Sequence, residues 1–115
     1  MTDILQGLPA KTYNLIYQDK LFHITIVDEI QEDGSLLPKQ LFINSLYMAE
    51  FYYLVAISNL INGFLLHNAL PEVVREALYN VADPVNGNYW KKGVLFPSLI
   101  SEISNIFAKH CENLK

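Results

Sequence analysis

Hydrophobic and polar residues alternate with period two in the first third of the chain and recur at helical spacing in the remainder. Tyr13, Leu15 and Tyr17 alternate with Asn14, Ile16 and Gln18, the pattern of a strand with two unlike faces. After Asp19-Lys20, a second strand runs from Leu21 to Val27 and places Phe22, Ile24 and Ile26 on one face, opposite His23 and Thr25. Two β-rich runs joined by two polar residues predict a hairpin, although Asp-Lys lacks the glycine that favours the tightest turns. Glu32-Asp33-Gly34-Ser35 marks a second turn, and Gln40 to Asn44 reads as a third strand delayed by Pro38.

Helical patterning takes over from there. Asn44 or Ser45 is the expected cap of a long helix from about Met48 to about Leu66, because either side-chain oxygen can accept a bond from an orphan helical N–H. Its apolar residues lie on most faces, as in helices of a protein interior. Pro71 suits the first turn of a second helix, where its missing N–H costs nothing. There Val73, Val74, Ala77, Leu78 and Val81 repeat at helical spacing, and Asp83-Pro84 ends the run. A loop over 85–93 precedes a last helix starting at Pro97 or Ser98, with Leu99, Ile103, Ile106 and His110 on one stripe. The predicted class is α+β: a three-stranded antiparallel sheet followed by three helices, the long central one packed on the sheet. One domain over 1–115 is expected, with residues 1–10 as an N-terminal arm.

Charge and composition narrow the function classes. The 115 residues carry a net charge of −4, which argues against a general nucleic-acid binder with its basic footprint. One cysteine excludes an intramolecular disulfide framework and any multi-cysteine zinc site. The N-terminus lacks the basic and apolar regions of a signal peptide, so a cytoplasmic protein is expected. Residues 51–71 carry no charge, but Ser58, Asn59, Asn62, Gly63, His67 and Asn68 interrupt the stretch, and neither end has a Lys/Arg cluster. A buried helix therefore accounts for it better than a membrane span.

Catalytic signatures are missing: there is no phosphate-binding glycine motif, zinc-protease helix or nucleophile elbow. His23, His67 and His110 lie far apart in sequence and lack metal-ligand spacing. His110 and Lys109 read as a terminal helix end near its negative pole, and Glu50 as a first-turn acid complementing the dipole. The acidic run Asp28 to Asp33 reads as a solvated hairpin end. The segment from Asp83 to Phe96 is richer, combining an acid, two glycines, two aromatics and two lysines. Glycines let backbone N–H groups approach an anion, lysines supply charge, and Tyr89 or Trp90 can stack on a base. The same residues also compose an ordinary structural loop.

Taken in order, Leu41-Phe42-Ile43-Asn44-Ser45, Met48, the helix containing Val55-Ala56-Ile57, and Asp83-Pro84 through Gly87, Trp90, Gly93 and Pro97-Ser98-Leu99 resemble one family. It is the TSCPD domain, found at the C-terminal end of adenosylcobalamin-dependent (class II) ribonucleotide reductases and in small stand-alone relatives. The resemblance spans residues 10 to 111 and makes this chain look like a divergent stand-alone member. Where such relatives carry an acid after the methionine this chain has Ala49. Their long-helix arginine and basic pair fall at neutral positions, near Asn59 and between Leu66 and Ala69.

The resemblance implies an accessory module and no radical chemistry, which belongs to the large catalytic barrel. The leading expectation is a non-catalytic binding module of nucleotide metabolism, without cofactor, metal or catalytic residues. It would take a nucleotide or other small anion through Asn44, Ser45, Asp83, Asn86, Gly87, Tyr89, Trp90, Lys91 and Lys92. The alternative is a protein-interaction subunit, either a homo-oligomer or the partner or inhibitor of a larger enzyme, including a mobile-element protein that sequesters a nucleotide signal. Seven tyrosines, six phenylalanines and one tryptophan favour it, since aromatics are enriched at interfaces.

Overall fold

Buried and exposed residues alternate along the first two strands as the period-two pattern requires, and the resulting sheet organises the rest. The computed structural model describes residues 7–114, so the expected arm lies mostly outside the described residues. Strands β1 (Ala10–Tyr17), β2 (Lys20–Ile30) and β3 (Leu36–Asn44) form an antiparallel sheet in the order β1-β2-β3. Helices α1 (Tyr53–Leu66) and α2 (Pro71–Tyr79) follow, then a short hairpin of β4 (Tyr89–Lys91) and β5 (Val94–Phe96), then α3 (Leu99–Asn113).

The first turn falls one residue earlier than Asp19-Lys20. Gln18 and Asp19 occupy it, both at positive φ (52° and 61°), because Lys20 pairs with Tyr17 and thereby sets Leu15 opposite Phe22. That register keeps Leu15, Tyr17, Phe22, Ile24 and Ile26 on the buried face. Strand β3 begins earlier than expected and includes Pro38. Pro38 pairs with Asp28 and Gln40 with Val27, which leaves Lys39 as the extra residue of a bulge. A proline fits there because β3 is an edge strand and a bulge interrupts the ladder anyway.

The long helix starts at Tyr53, and neither Asn44 nor Ser45 caps it. Ser45 Oγ instead donates to the Leu21 carbonyl and accepts from the Tyr47 N–H at 3.2 Å. Residues 46–50 form successive turns that deliver Phe51 onto Phe22, ring centroids 5.2 Å apart. Glu50 therefore precedes the helix and pairs with Lys20 at 2.7 Å. This ammonium also lies 5.4 Å and 5.3 Å from the ring centres of Tyr47 and Phe51.

Two polar residues on the buried side of α1 close the outer edge of β3. Asn62 Oδ1 accepts from the Leu41 N–H at 2.6 Å, and Ser58 Oγ donates to the Leu41 carbonyl. An open edge is a template for unwanted strand pairing, and a helix laid across it with matched polar groups removes that hazard. Leu54, Ile61 and Leu65 of α1 pack into the same core.

Helix α2 ends at Tyr79, short of Asp83. Residues 81–83 are drawn out of it by the chain ahead of α3: Ser98 Oγ donates to the Val81 carbonyl, and the Asp83 N–H donates to the Pro97 carbonyl at 2.9 Å. Ser98 also caps α3, accepting from the Ser101 N–H at 3.0 Å. Leu99, Ile103, Phe107 and His110 form the buried stripe of α3, with Ile106 half-buried beside it. All three helices thus sit on one side of the sheet. None of the described helices is long and apolar enough to cross a membrane.

Candidate functional site

The segment from Asp83 to Phe96 owes its shape to local hydrogen bonds before any ligand is considered. Asp83 Oδ1 accepts from the N–H groups of Val85 (2.9 Å) and Asn86 (3.0 Å), which holds its carboxyl below the ordinary carboxylate range. The Gly87 N–H closes the turn on the Asp83 carbonyl at 3.0 Å. A Cβ on Gly87 would stand 2.1 Å from the Pro97 carbonyl oxygen and 2.4 Å from that of Asp83, so only glycine passes this crossing. Asp83, Gly87, Pro97 and Ser98 therefore form a structural clasp between the α2 exit and the α3 start.

Beyond the clasp, the chain forms a hairpin where a loop was expected. Lys92 and Gly93 turn it with φ of 51° and 79°, the positive values a tight two-residue turn demands. Alternation then sends Tyr89 and Lys91 toward the body and Trp90 outward. Tyr89 Oη donates to Glu102 Oε1 at 2.9 Å, and Lys91 Nζ donates to Glu102 Oε2 at 2.7 Å and to the Ile16 carbonyl. Glu102 is buried, so this cluster satisfies a carboxylate inside the fold. Burial, and secondarily the bond to Glu102, raises the Tyr89 phenol far above its ordinary value. The charge of Lys91 is thereby matched, while Trp90 is 70% exposed and Lys92 is exposed at the hairpin tip.

Asn86, Tyr89 and Lys91 line one side of an open groove whose other wall is the β1–β2 turn from Ile16 to Asp19. Asn44 and Ser45 line a different groove, with Leu21, His23 and Leu46. Asp19 borders both, so the two expected ligand segments flank one turn without forming a single site.

A buried acid–imidazole pair links the sheet to the last helix. Asp28 is 2% exposed and His110 is 1% exposed, which corrects the solvated hairpin end and the helix-terminal histidine. His110 Nε2 lies 2.9 Å and 3.1 Å from the two Asp28 oxygens, and its Nδ1 lies 2.7 Å from Tyr13 Oη. With Nε2–H directed at the carboxylate, Nδ1 of a neutral ring accepts from the phenol. Burial, followed by the nearby Asp28 charge, raises the Tyr13 phenol above its ordinary value. The signal was present in both elements: position 28 continues the inward series 22, 24, 26, and His110 lies on the apolar stripe of α3. Among the described residues, no three His, Cys, Asp or Glu side chains converge as a metal site.

No family model matches the chain, and neither a curated protein nor a solved structure shows a significant match.

Two measurements test this account. Asp28→Ala leaves His110 Nε2 without its buried acceptor and is expected to lower unfolding stability by about 3 kcal/mol in urea titration. A loss below about 0.5 kcal/mol, the ordinary surface value, would show that the pair is dispensable. The second is alkaline titration. Tyr13, Tyr17, Tyr53 and Tyr89 all have phenols raised by burial, so the folded state retains protons that the unfolded state releases near the ordinary value of 10.0. Their contribution is complete below that pH and is lost as pH rises through the raised values. Phenolate absorbance should therefore develop at higher pH in native than in urea-unfolded protein, and Tyr89→Phe should remove one late-titrating group. Superimposable native and unfolded curves would contradict the raised values.

Proposed function

We propose that the chain is a protein-interaction module that works by contact, through the outer face of α1. The observation that carries this reading is the chemistry of that helix. Tyr53 to Leu66 contains no charged residue, yet only Leu54, Ser58, Ile61 and Leu65 are buried. Leu60 is 62% exposed and Phe64 58%, with Val55, Leu66 and Tyr52 also exposed beside them. Single exposed apolar residues are normal, whereas a contiguous patch of this kind rimmed by polar groups marks an interaction surface. The resemblance to TSCPD domains supports an accessory role, and the neutral residues at the family's charged positions, Asn59 among them, suit a helix face turned into a contact.

A photo-crosslinking amino acid at position 60, introduced in cells that express the chain, is expected to give a discrete protein adduct. The same group at Glu76, on the exposed side of α2, serves as the control. Equal or no adduct at position 60 sinks the reading. Leu60→Lys with Phe64→Lys should abolish the contact and change stability by less than about 1 kcal/mol, because both side chains project from the surface.

A second reading, a nucleotide-type ligand of nucleotide metabolism, draws support from the convergence of Asn86, Tyr89 and Lys91 on one groove beside exposed Trp90. Calorimetric titration with nucleoside di- and triphosphates and cyclic nucleotides tests it. Binding heat lost in Trp90→Ala supports that reading, and no heat with folded protein ends it.

A further inference from the structure

We infer that the outer edge of β1 receives an extended peptide carrying a basic residue, which adds a fourth strand to the sheet and seats that residue in the groove beside the β1–β2 turn. This surface lies on the opposite edge of the sheet from α1 and is independent of the contact assigned to that helix.

The register of the hairpin determines which backbone groups the edge presents. Gln18 and Asp19 form a two-residue turn with both φ positive, and such a turn closes on a doubly hydrogen-bonded pair, here Tyr17 with Lys20. Counting back by twos, Leu15, Tyr13 and Lys11 bond to β2, and the Asp28 N–H continues the series by donating to the Pro9 carbonyl at 2.8 Å. Ala10, Thr12, Asn14 and Ile16 therefore direct their N–H and C=O groups away from β2. Lys91 Nζ shows that direction, since it reaches the Ile16 carbonyl from β4. At Ala10, Thr12 and Asn14 no group among the described residues takes up those donors and acceptors, and all three residues are exposed.

The two edges of the sheet are protected unequally. The β3 edge carries a proline, a bulge and the Ser58 and Asn62 side chains bonded to Leu41. Strand β1 pairs without interruption from Ala10 to Tyr17, contains no proline, and has Lys11 as its one charge. Such an edge presents alternating donors and acceptors at a two-residue repeat of about 6.7 Å, a pattern that another extended chain matches.

The groove at the end of this edge supplies selectivity. It lies between the β1–β2 turn and β4, so a strand running along β1 toward Ile16 arrives at it. Tyr17 and Tyr89, with ring centres 5.5 Å apart, line it. Lys91 brings no unmatched charge, being held by Glu102 at 2.7 Å. Asp19 is exposed at the groove, and no cation among the described residues pairs with it. A lysine or arginine side chain suits these walls, its stem lying on the aromatic rings and its charge meeting Asp19. The net charge of −4 favours the same partner at longer range. Main-chain bonds for affinity and a side-chain pocket for selectivity are the two components of recognition by strand addition.

The test uses the whole chain, labelled with nitrogen-15, and a capped octapeptide of alternating threonine and valine between two terminal lysines. Saturating peptide should slow hydrogen exchange at the Thr12 and Asn14 amides at least tenfold. Glutamate in place of both lysines, or methylation of every peptide nitrogen, should weaken binding at least tenfold. Thr12→Pro removes an outward N–H without touching a bond to β2, and should do the same. Where that variant fails to fold, Asp19→Asn carries the test, because asparagine tolerates the positive φ of the turn. It should reduce the preference for lysine over glutamate at least fivefold. Unchanged exchange at Thr12 and Asn14 with millimolar peptide overturns the inference, as does equal affinity for the two peptides or a preference that Asp19→Asn leaves intact. Nucleotide heat without peptide binding overturns it in favour of the small-ligand reading of the groove. The adduct at position 60 reports on the other edge of the sheet, so failure of the α1 contact and failure of this one are separately visible.

Discussion

Burying a carboxylate is tolerable only where hydrogen bonds replace the water it loses, and the Asp28–His110–Tyr13 chain is the contact through which this fold meets that condition. Asp28 stands at the inner face of β2, in series with Phe22, Ile24 and Ile26, so it cannot turn outward without moving the whole strand. His110 must therefore reach it from α3, which fixes the last helix in depth and rotation. Tyr13 completes the link from β1 and closes three elements around one imidazole. Once α3 is placed, Phe107 and Ile103 face the core and Ser98 is carried to its position beside Val81.

A second buried carboxylate repeats the logic at the other end of α3. Glu102 is satisfied by Tyr89 and Lys91, and those residues reach it because β4 alternates its side chains inward at 89 and 91. Lys91 continues to the Ile16 carbonyl, tying the small hairpin to the end of β1. The clasp of Asp83, Gly87 and Pro97 lies between. Residues with the composition of a ligand loop are thus largely occupied with holding α3 to the sheet, and the uncommitted surface moves to α1. There the polar side chains Ser58 and Asn62 face inward to serve a strand edge, while Leu60 and Phe64 face outward. With Leu54, Ile61 and Leu65 also in the core, α1 is apolar on its outer face as well as its inner one.

Much of the architecture was legible from periodicity. The alternation at Tyr13–Tyr17 and Leu21–Val27 located two strands and their inward faces, and Glu32–Ser35 located a turn that Asp33 and Gly34 do build. Boundaries failed where tertiary contacts override local preference. Residues 46–50 stay out of the helix because Phe51 must reach Phe22, and residues 81–83 leave α2 because Pro97 and Ser98 capture them. The β4–β5 hairpin escaped notice because its strands have only three residues each, too few for a period to register. Glycine content suggested an anion cradle at 87, whereas the close crossing of two carbonyls explains that glycine. The buried pair was readable in part: each member sits on an apolar face, but nothing in a linear pattern says that positions 82 apart meet.

That separation bears on how the chain reaches its fold. Tyr13 and His110 are 97 residues apart, so the contact that secures the sheet forms only after nearly the entire described chain is available. Closing so long a loop is entropically slow, and topologies dominated by such contacts fold late relative to local hairpins. During synthesis the three strands emerge well before α3, with Phe22, Ile24 and Ile26 still uncovered on their inner face. A nascent chain in that state carries an exposed apolar sheet that must be shielded from aggregation until the last helix leaves the ribosome.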